Sequence, residues 1–110
     1  MIHKTVKIDP VLEEIVKRLV TQFSPEQIYL FGSRTRKDAT LNSDYDLLLI
    51  MKKIEGPGYQ LSQKAQEVLW GIVEAVDVFF TNRSDFERKK NVVGSLAEIV
   101  HSEGEELYAA

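Results

Sequence analysis

A chain of 110 residues with a formal net charge of −3 is long enough for one compact domain, and it lacks the basic surplus of a general nucleic-acid binder. It contains no cysteine, which excludes disulfides and thiolate metal sites. Neither a signal peptide nor an apolar run long enough to span a membrane is visible. We therefore expect a single cytoplasmic domain over residues 1–110, with no membrane partner.

The first predicted element is a helix that begins at Asp9, the N-cap, and Pro10, the first helical residue. Apolar residues recur at helical spacing from there to Phe23. Two short apolar runs then indicate buried strands, the first over residues 27–31 and the second over residues 45–51. A polar, basic loop separates the two strands.

A second helical stripe runs from Leu61 to Val73, and the apolar segment over residues 75–80 predicts a third strand. The large apolar side chains in this part of the chain are interpreted most simply as core residues, and we expect no catalytic role for them; they are Trp70, Phe79 and Phe80.

The C-terminal third predicts two short helices and a final edge strand. Residues 84–87 have the spacing of a capping box, which predicts a helix start at Ser84. The polar run over residues 89–91 separates this helix from the next, which Gly104 ends, and residues 106–108 form the edge strand. This order of helices and strands indicates an α/β or α+β domain.

Three aspartates and one turn carry the chemistry. Asp44 and Asp46 lie two apart at the start of a strand and therefore on one face, where hard oxygen ligands suit Mg²⁺ bound to a phosphate substrate. Alone, this pair is equally typical of a solvated turn. Gly32 and Ser33 offer backbone N–H groups and a hydroxyl to a phosphate. Asp77, alone, is typical of a strand-end aspartate held by a hydrogen bond.

Taken together, these residues resemble a known signature. A Gly-Ser pair, a gap of ten residues and an Asp-Xaa-Asp triplet resemble the minimal nucleotidyltransferases of the DNA polymerase β-like superfamily. The strings that carry the resemblance are Phe31-Gly-Ser-Arg-Thr-Arg-Lys and Ser43-Asp-Tyr-Asp-Leu. Two residues depart from the usual string, where alanine and glycine are common: Thr35 and Lys37.

The resemblance implies a nucleotidyltransferase fold, with a small mixed central β-sheet flanked by α-helices. It implies two Mg²⁺ ions, held with the nucleotide by three catalytic carboxylates: Asp44, Asp46 and Asp77. It also implies a nucleotide-binding loop that grips the outer phosphates, formed by Gly32, Ser33, Arg34 and Arg36. For the two arginines the alternative is a solvated run of charge.

The implied function is an Mg-dependent nucleotidyltransferase that moves AMP from ATP to an acceptor hydroxyl, such as a tyrosine of a partner protein. The resemblance extends to antitoxins that neutralise HEPN-domain toxins, so we expect a HEPN-domain partner, a second copy of the chain, or both to supply the acceptor site. The alternative is an antitoxin that neutralises its partner by binding alone. A weaker alternative, a degenerate relative that binds nucleotide without turnover, is disfavoured by the three intact aspartates.

Overall fold

The computed structural model describes residues 9–32 and 45–110 of the chain. Helices and strands follow one another along these residues in the order that the sequence predicts. The helices are α1 (Pro10–Phe23), α2 (Gly58–Val68), α3 (Arg83–Lys89) and α4 (Leu96–Glu103). The strands are β1 (Gln27–Phe31), β2 (Tyr45–Met51), β3 (Val76–Asn82) and β4 (Glu105–Ala109). Among the described residues, no helix is both long and apolar enough to cross a membrane.

The first helix begins and ends where its sequence dictates. The backbone of Asp9 is extended, and its carboxylate accepts a 2.7 Å hydrogen bond from the N–H of Leu12, so one unpaired donor of the first turn is satisfied. Pro10 follows as the first helical residue, where its missing N–H costs nothing. Ser24 ends the helix in the left-handed region, with φ of 48°.

Within the described residues, the strands form one mixed sheet in the order β3-β2-β1-β4. The β1–β2 and β1–β4 pairs are antiparallel, whereas β2 and β3 are parallel. The parallel pair is joined by the α2 crossover, as parallel strands require. The predicted class, an α+β domain with a mixed central sheet flanked by helices, is confirmed.

Alternate residues of the strands face two helical layers. One face packs against α1 and α2, and its buried cluster includes Ile28, Leu30, Leu47 and Leu49 from the sheet. The other face packs against α3 and α4, where Phe31, Leu48 and Ile50 meet Phe86, Ala97 and Val100. β1 and β2 thus follow the two-residue alternation of a pleated sheet, and both faces of these two strands contribute to the core.

The second helix is shorter than its apolar stripe predicts. It ends at Val68, and the stripe continues into a turn in which Gly71 has φ of 92°. Only Leu69 of this turn is buried, whereas Trp70 is 83% exposed and Val73 is 93% exposed. The assignment of Trp70 to the core is therefore wrong, because the helix ends before it and no described residue covers its side chain.

Two further boundaries differ from the sequence prediction. The third strand extends to Asn82, and α3 begins at Arg83 rather than at Ser84. The N-cap is Asn82, whose side chain accepts a 2.8 Å hydrogen bond from the N–H of Asp85. Asn82 and Ser84 are both good cap residues, and strand pairing through residue 82 selects the earlier one. The predicted edge strand around residues 106–108 is present as β4.

Candidate functional site

The two described aspartates of the signature lie side by side on neighbouring strands. Asp46 is the second residue of β2, Asp77 is the second residue of β3, and the parallel register pairs them directly. Neighbouring strands lie about 4.8 Å apart, so the backbones of the pair are about that far apart and both side chains point to the same face. On the other side of β2, Asp46 is paired with Phe31. One row across the sheet therefore reads Asp77, Asp46, Phe31.

This row lies on the face of α3 and α4. The neighbours of Asp46 in the alternation of β2, Leu48 and Ile50, belong to the core cluster of that face. The next row reads Phe79, Leu48, Tyr29, from the same registers. Asp46 is half-buried, whereas Asp77 is exposed. The carboxylate pair thus lies at the start of β2 and β3, where the helical cover gives way to solvent.

The absence of a side chain at Gly32 leaves room for the carboxylate of Asp46. Its φ is 81°, a conformation that favours glycine. A Cβ atom built on Gly32 would lie 3.3 Å from Cγ of Asp46 and closer still to one of its carboxylate oxygens. The end of β1 therefore passes so close to the carboxylate that any side chain at residue 32 would displace it.

Tyr45 joins three segments at this end of the sheet. Its hydroxyl donates a 2.7 Å hydrogen bond to the carboxylate of Asp9, the N-cap of α1. Its backbone N–H donates a 3.0 Å hydrogen bond to the carbonyl of Ala75, just before β3. Because Tyr45 directly precedes Asp46, and Ala75 lies two residues before Asp77, these bonds fix both aspartates relative to α1.

The donor atoms of this site fit a divalent cation. Two carboxylates on adjacent strands offer hard oxygen ligands, and Mg²⁺ is commonly bound by one or two carboxylates together with phosphates of the substrate. The described residues contain no group of three acidic, histidine or cysteine side chains placed to hold a metal ion. The third predicted ligand, Asp44, lies outside the described residues.

The predicted site residues fall into two sets. Gly32, Asp46 and Asp77 are described, and the structure brings them together. The others lie in the stretch over residues 33–44, outside the described residues: Ser33, Arg34, Arg36 and Asp44. Their assignment to the phosphate grip and to the metal stays a prediction.

Sequence reasoning missed an aromatic pair beside the carboxylates. The ring centroids of Phe31 and Phe79 lie 5.7 Å apart with a tilted geometry. The sequence predicts that Phe79 is a core residue, but its side chain is 42% exposed. Its position two residues after Asp77 in a strand could have indicated that it shares the face of that carboxylate.

The far end of the same face is closed by polar contacts. Arg83 of α3 forms a 2.9 Å ion pair with Glu26 and also donates to the side chain of Gln27. Tyr29 stacks on Phe86 with centroids 6.2 Å apart. Burial, followed by the negative charge of Glu106, raises the pKa of Tyr29 above its ordinary value of 10.0. These contacts hold α3 against β1, away from the carboxylate row.

Comparison with known proteins gives one family and one fold. The family model described as polymerase beta, nucleotidyltransferase, matches residues 13–105. No curated protein matches the sequence. A crystal structure of a toxin–antitoxin with AMP-PNP is 23% identical, with a TM-score of 0.60 over 89% of this chain and 73% of that chain.

Two other solved structures are similar. A mutant of the toxin–antitoxin MntA-HpeT is 22% identical, with a TM-score of 0.59 over 89% of this chain and 72% of that one. The toxin–antitoxin MntA-HepT is also 22% identical, with a TM-score of 0.54 over 89% of this chain and 69% of that one. At these identities the likeness establishes the fold.

Proposed function

Because this chain belongs to the polymerase beta nucleotidyltransferase family, we propose that it transfers AMP from ATP to a hydroxyl of a partner protein. The observation that carries the proposal is the pairing of Asp46 with Asp77 on adjacent parallel strands, beside a glycine whose missing side chain leaves the Asp46 carboxylate in place. The proposed acceptor is a tyrosine, and the proposed partner is a HEPN-domain toxin. One solved structure of similar fold is a toxin–antitoxin with AMP-PNP, which supports ATP as the nucleotide.

In this proposal, the chain's residues position the reactants. Asp44 and Asp46 fix the nucleotide through its cation, and Gly32 with Ser33 holds the outer phosphates. Asp77 accepts a hydrogen bond from the attacking hydroxyl and then its proton. The oxygen of the acceptor forms a new bond to the α-phosphorus, the bond between the α- and β-phosphates breaks, and pyrophosphate leaves. Two Mg²⁺ ions, when bound, neutralise the charge that develops on the entering and leaving oxygens.

The second candidate function is neutralisation by binding alone. The first turn of α4 and the turn before it expose apolar side chains, among which Val93 is 91% exposed. Val92, Leu96 and Ile99 are also exposed, whereas Val100 packs into the core. Such a patch is typical of a protein interface. It favours a partner or a second copy whether or not the chain is catalytic.

One variant separates the two candidates. Asp77→Asn keeps the shape of the side chain and removes its charge. If the chain is an enzyme, the variant still binds Mg²⁺-ATP and the partner, but it transfers AMP more slowly by about 10²–10⁴-fold. The assay combines wild-type or variant protein, labelled ATP, Mg²⁺ and the partner obtained by pull-down, with mass spectrometry of the partner.

A matched control makes the same change of charge elsewhere. Glu55→Gln alters an exposed side chain whose ion pair with Lys53 is 3.6 Å long, and it should transfer AMP at the wild-type rate. A growth assay with the co-expressed toxin completes the design. If Asp77→Asn rescues growth fully and wild-type protein adds no AMP to the partner, binding alone is the function.

A further inference from the structure

The order of the site residues across the sheet sets the direction from which an acceptor arrives. Gly32 directly follows β1, Asp46 lies on β2 and Asp77 lies on β3, the strand at the edge of the described sheet. In the proposed function, the leaving pyrophosphate lies over the β1 side, next to Gly32. In an in-line displacement the attacking and leaving oxygens lie on opposite sides of the phosphorus. The attacking hydroxyl must therefore approach from the β3 side.

The exposure of the surface follows the same direction. In the carboxylate row, Phe31 is 8% exposed, Asp46 is half-buried and Asp77 is exposed. In the next row, Tyr29 is half-buried, Leu48 is buried and Phe79 at the β3 side is exposed. Both rows are thus most accessible at β3, which leaves room for a protein acceptor on that side.

Phe79 lies where such an acceptor would rest. It is two residues after Asp77 on the same face of β3, a separation of about 6.6 Å along the strand. Contact with the ring of Phe31 holds its ring from one side, and its backbone is paired with that of Leu48. The rest of the ring faces solvent beside the carboxylate.

We propose that Phe79 is an acceptor-positioning residue: its ring packs against the aromatic ring that carries the attacking hydroxyl and places that hydroxyl at Asp77. The inference rests on the proposed function and identifies the surface that selects a tyrosine over an aliphatic hydroxyl. Aromatic rings prefer offset or edge-to-face contact. When the acceptor ring is displaced from the ring of Phe79 by one row of side chains toward Asp77, its phenol oxygen points at the Asp77 carboxylate.

A neighbouring pocket provides space for the chain on either side of the acceptor tyrosine. It has a volume of about 250 Å³ and lies between β3, α3 and α4. Leu48 and Leu96 give it apolar walls, and Thr81 and Ser95 add hydroxyls. Because Leu48 is the strand partner of Phe79, the pocket continues the surface that Phe79 begins.

The test compares transfer of AMP with binding of the nucleotide. For wild type and the Phe79→Ala, Phe79→Leu and Phe79→Tyr variants, the KM and kcat for the purified partner are measured with labelled ATP, and the Kd of Mg²⁺-ATP by calorimetry. We expect Phe79→Ala to lower kcat/KM for the partner by about tenfold or more through KM, with the Kd of ATP unchanged. Phe79→Tyr should retain nearly wild-type kinetics.

Two variants guard against trivial explanations. Phe79→Leu keeps apolar contact with Phe31 and the fold, yet it should still raise KM because the ring face is gone. Trp70→Ala removes a more exposed aromatic side chain in the turn after α2 and should leave all three constants unchanged. Circular dichroism and thermal unfolding verify that each variant is folded.

The outcomes distinguish this inference from the function on which it rests. Wild-type kinetics in Phe79→Ala would overturn the inference and leave the transfer reaction standing. An equal loss of ATP affinity would also overturn it, because Phe79 would then serve the nucleotide. If wild-type protein transfers no AMP to its partner, the proposed function fails and the inference fails with it.

Discussion

On β2, neighbouring residues serve opposite faces of the sheet. Tyr45, Leu47 and Leu49 are buried against the layer of α1 and α2. Asp46, between the first two of them, belongs to the face of α3 and α4 and is only half-buried. One strand therefore carries an apolar face for stability and, one residue away, a carboxylate for chemistry.

The two faces differ in how completely helices cover them. The α1–α2 face is closed up to the start of β2, where Tyr45 is hydrogen-bonded to Asp9. On the other face, Leu48 is buried and Tyr29 is half-buried, but Asp77 and Phe79 are exposed. We call the α1–α2 side the closed face and the α3–α4 side the open face. Packing on the closed face holds the strands rigidly, and the rigid strands then position the polar groups of the open face with little freedom.

The largest expected effect is on the open face. Asp46→Asn removes a charge that the proposed reaction needs, so transfer of AMP should fall by about 10²-fold or more. The free energy of unfolding of the metal-free protein should stay within about 1 kcal/mol of wild type, since the repulsion between the two aspartates is also removed. Labelled transfer and urea unfolding measure the two quantities. Wild-type transfer by this variant would contradict the role of the carboxylate pair.

The neighbouring residue on the closed face should give the reverse result. Leu47 is fully buried, so Leu47→Ala should lower the free energy of unfolding by about 2–5 kcal/mol through lost contacts and a cavity. At a temperature where the variant is still folded, its affinity for Mg²⁺-ATP should match wild type. Urea unfolding and calorimetry test both parts. A folded Leu47→Ala protein with weakened ATP binding would show that the two faces are not independent.

Two glycines should respond differently to substitution by alanine. Gly32 and Gly71 both have positive φ, but a Cβ at Gly71 would meet no atom within 4 Å. Gly71→Ala should therefore cost only the conformational strain, about 1–2 kcal/mol. Gly32→Ala should cost more, because the new Cβ also displaces the carboxylate of Asp46, and it should weaken ATP binding. Equal losses of stability, with ATP affinity unchanged in both, would contradict the close approach at Gly32.

Local signals made the first half of the fold predictable. The cap at Asp9 and the bounds of β1 and β2 agree with their sequence patterns, because caps and short apolar runs act over a few residues. The pairing of Asp46 with Asp77 depends on a crossover through α2 and a parallel register. Spacing along the chain does not encode that register, and only the resemblance to a known family suggested it.

Exposure was the least predictable property. Trp70 and Phe79 are large and apolar, and periodicity indicates a helix or strand face without indicating whether another element covers it. The link between Tyr45 and Asp9 joins residues 36 positions apart, and no local pattern marks it. The structure pairs Asp46 with Asp77, and their assignment as site residues stays a prediction; the sequence does not predict the exposed aromatic surface beside them.

The smallest effect that we expect concerns Tyr29, on the open face but away from the carboxylate row. The pKa of Tyr29 is raised above 10.0, mainly by burial, so the folded protein retains this proton at a pH where the unfolded chain has lost it. The resulting stability is fully present below the pKa that Tyr29 has in the unfolded chain. It is lost as the pH rises through the pKa that Tyr29 has in the folded protein. Tyr29→Phe keeps the ring on Phe86 and removes the titration, so the free energy of unfolding should fall less steeply above pH ~10 than in wild type. Chemical denaturation from neutral to alkaline pH measures this slope. The control is Tyr59→Phe, at an exposed residue, which should keep the wild-type slope. An unchanged slope in Tyr29→Phe would mean that solvent reaches this end of the face as freely as it reaches Phe79.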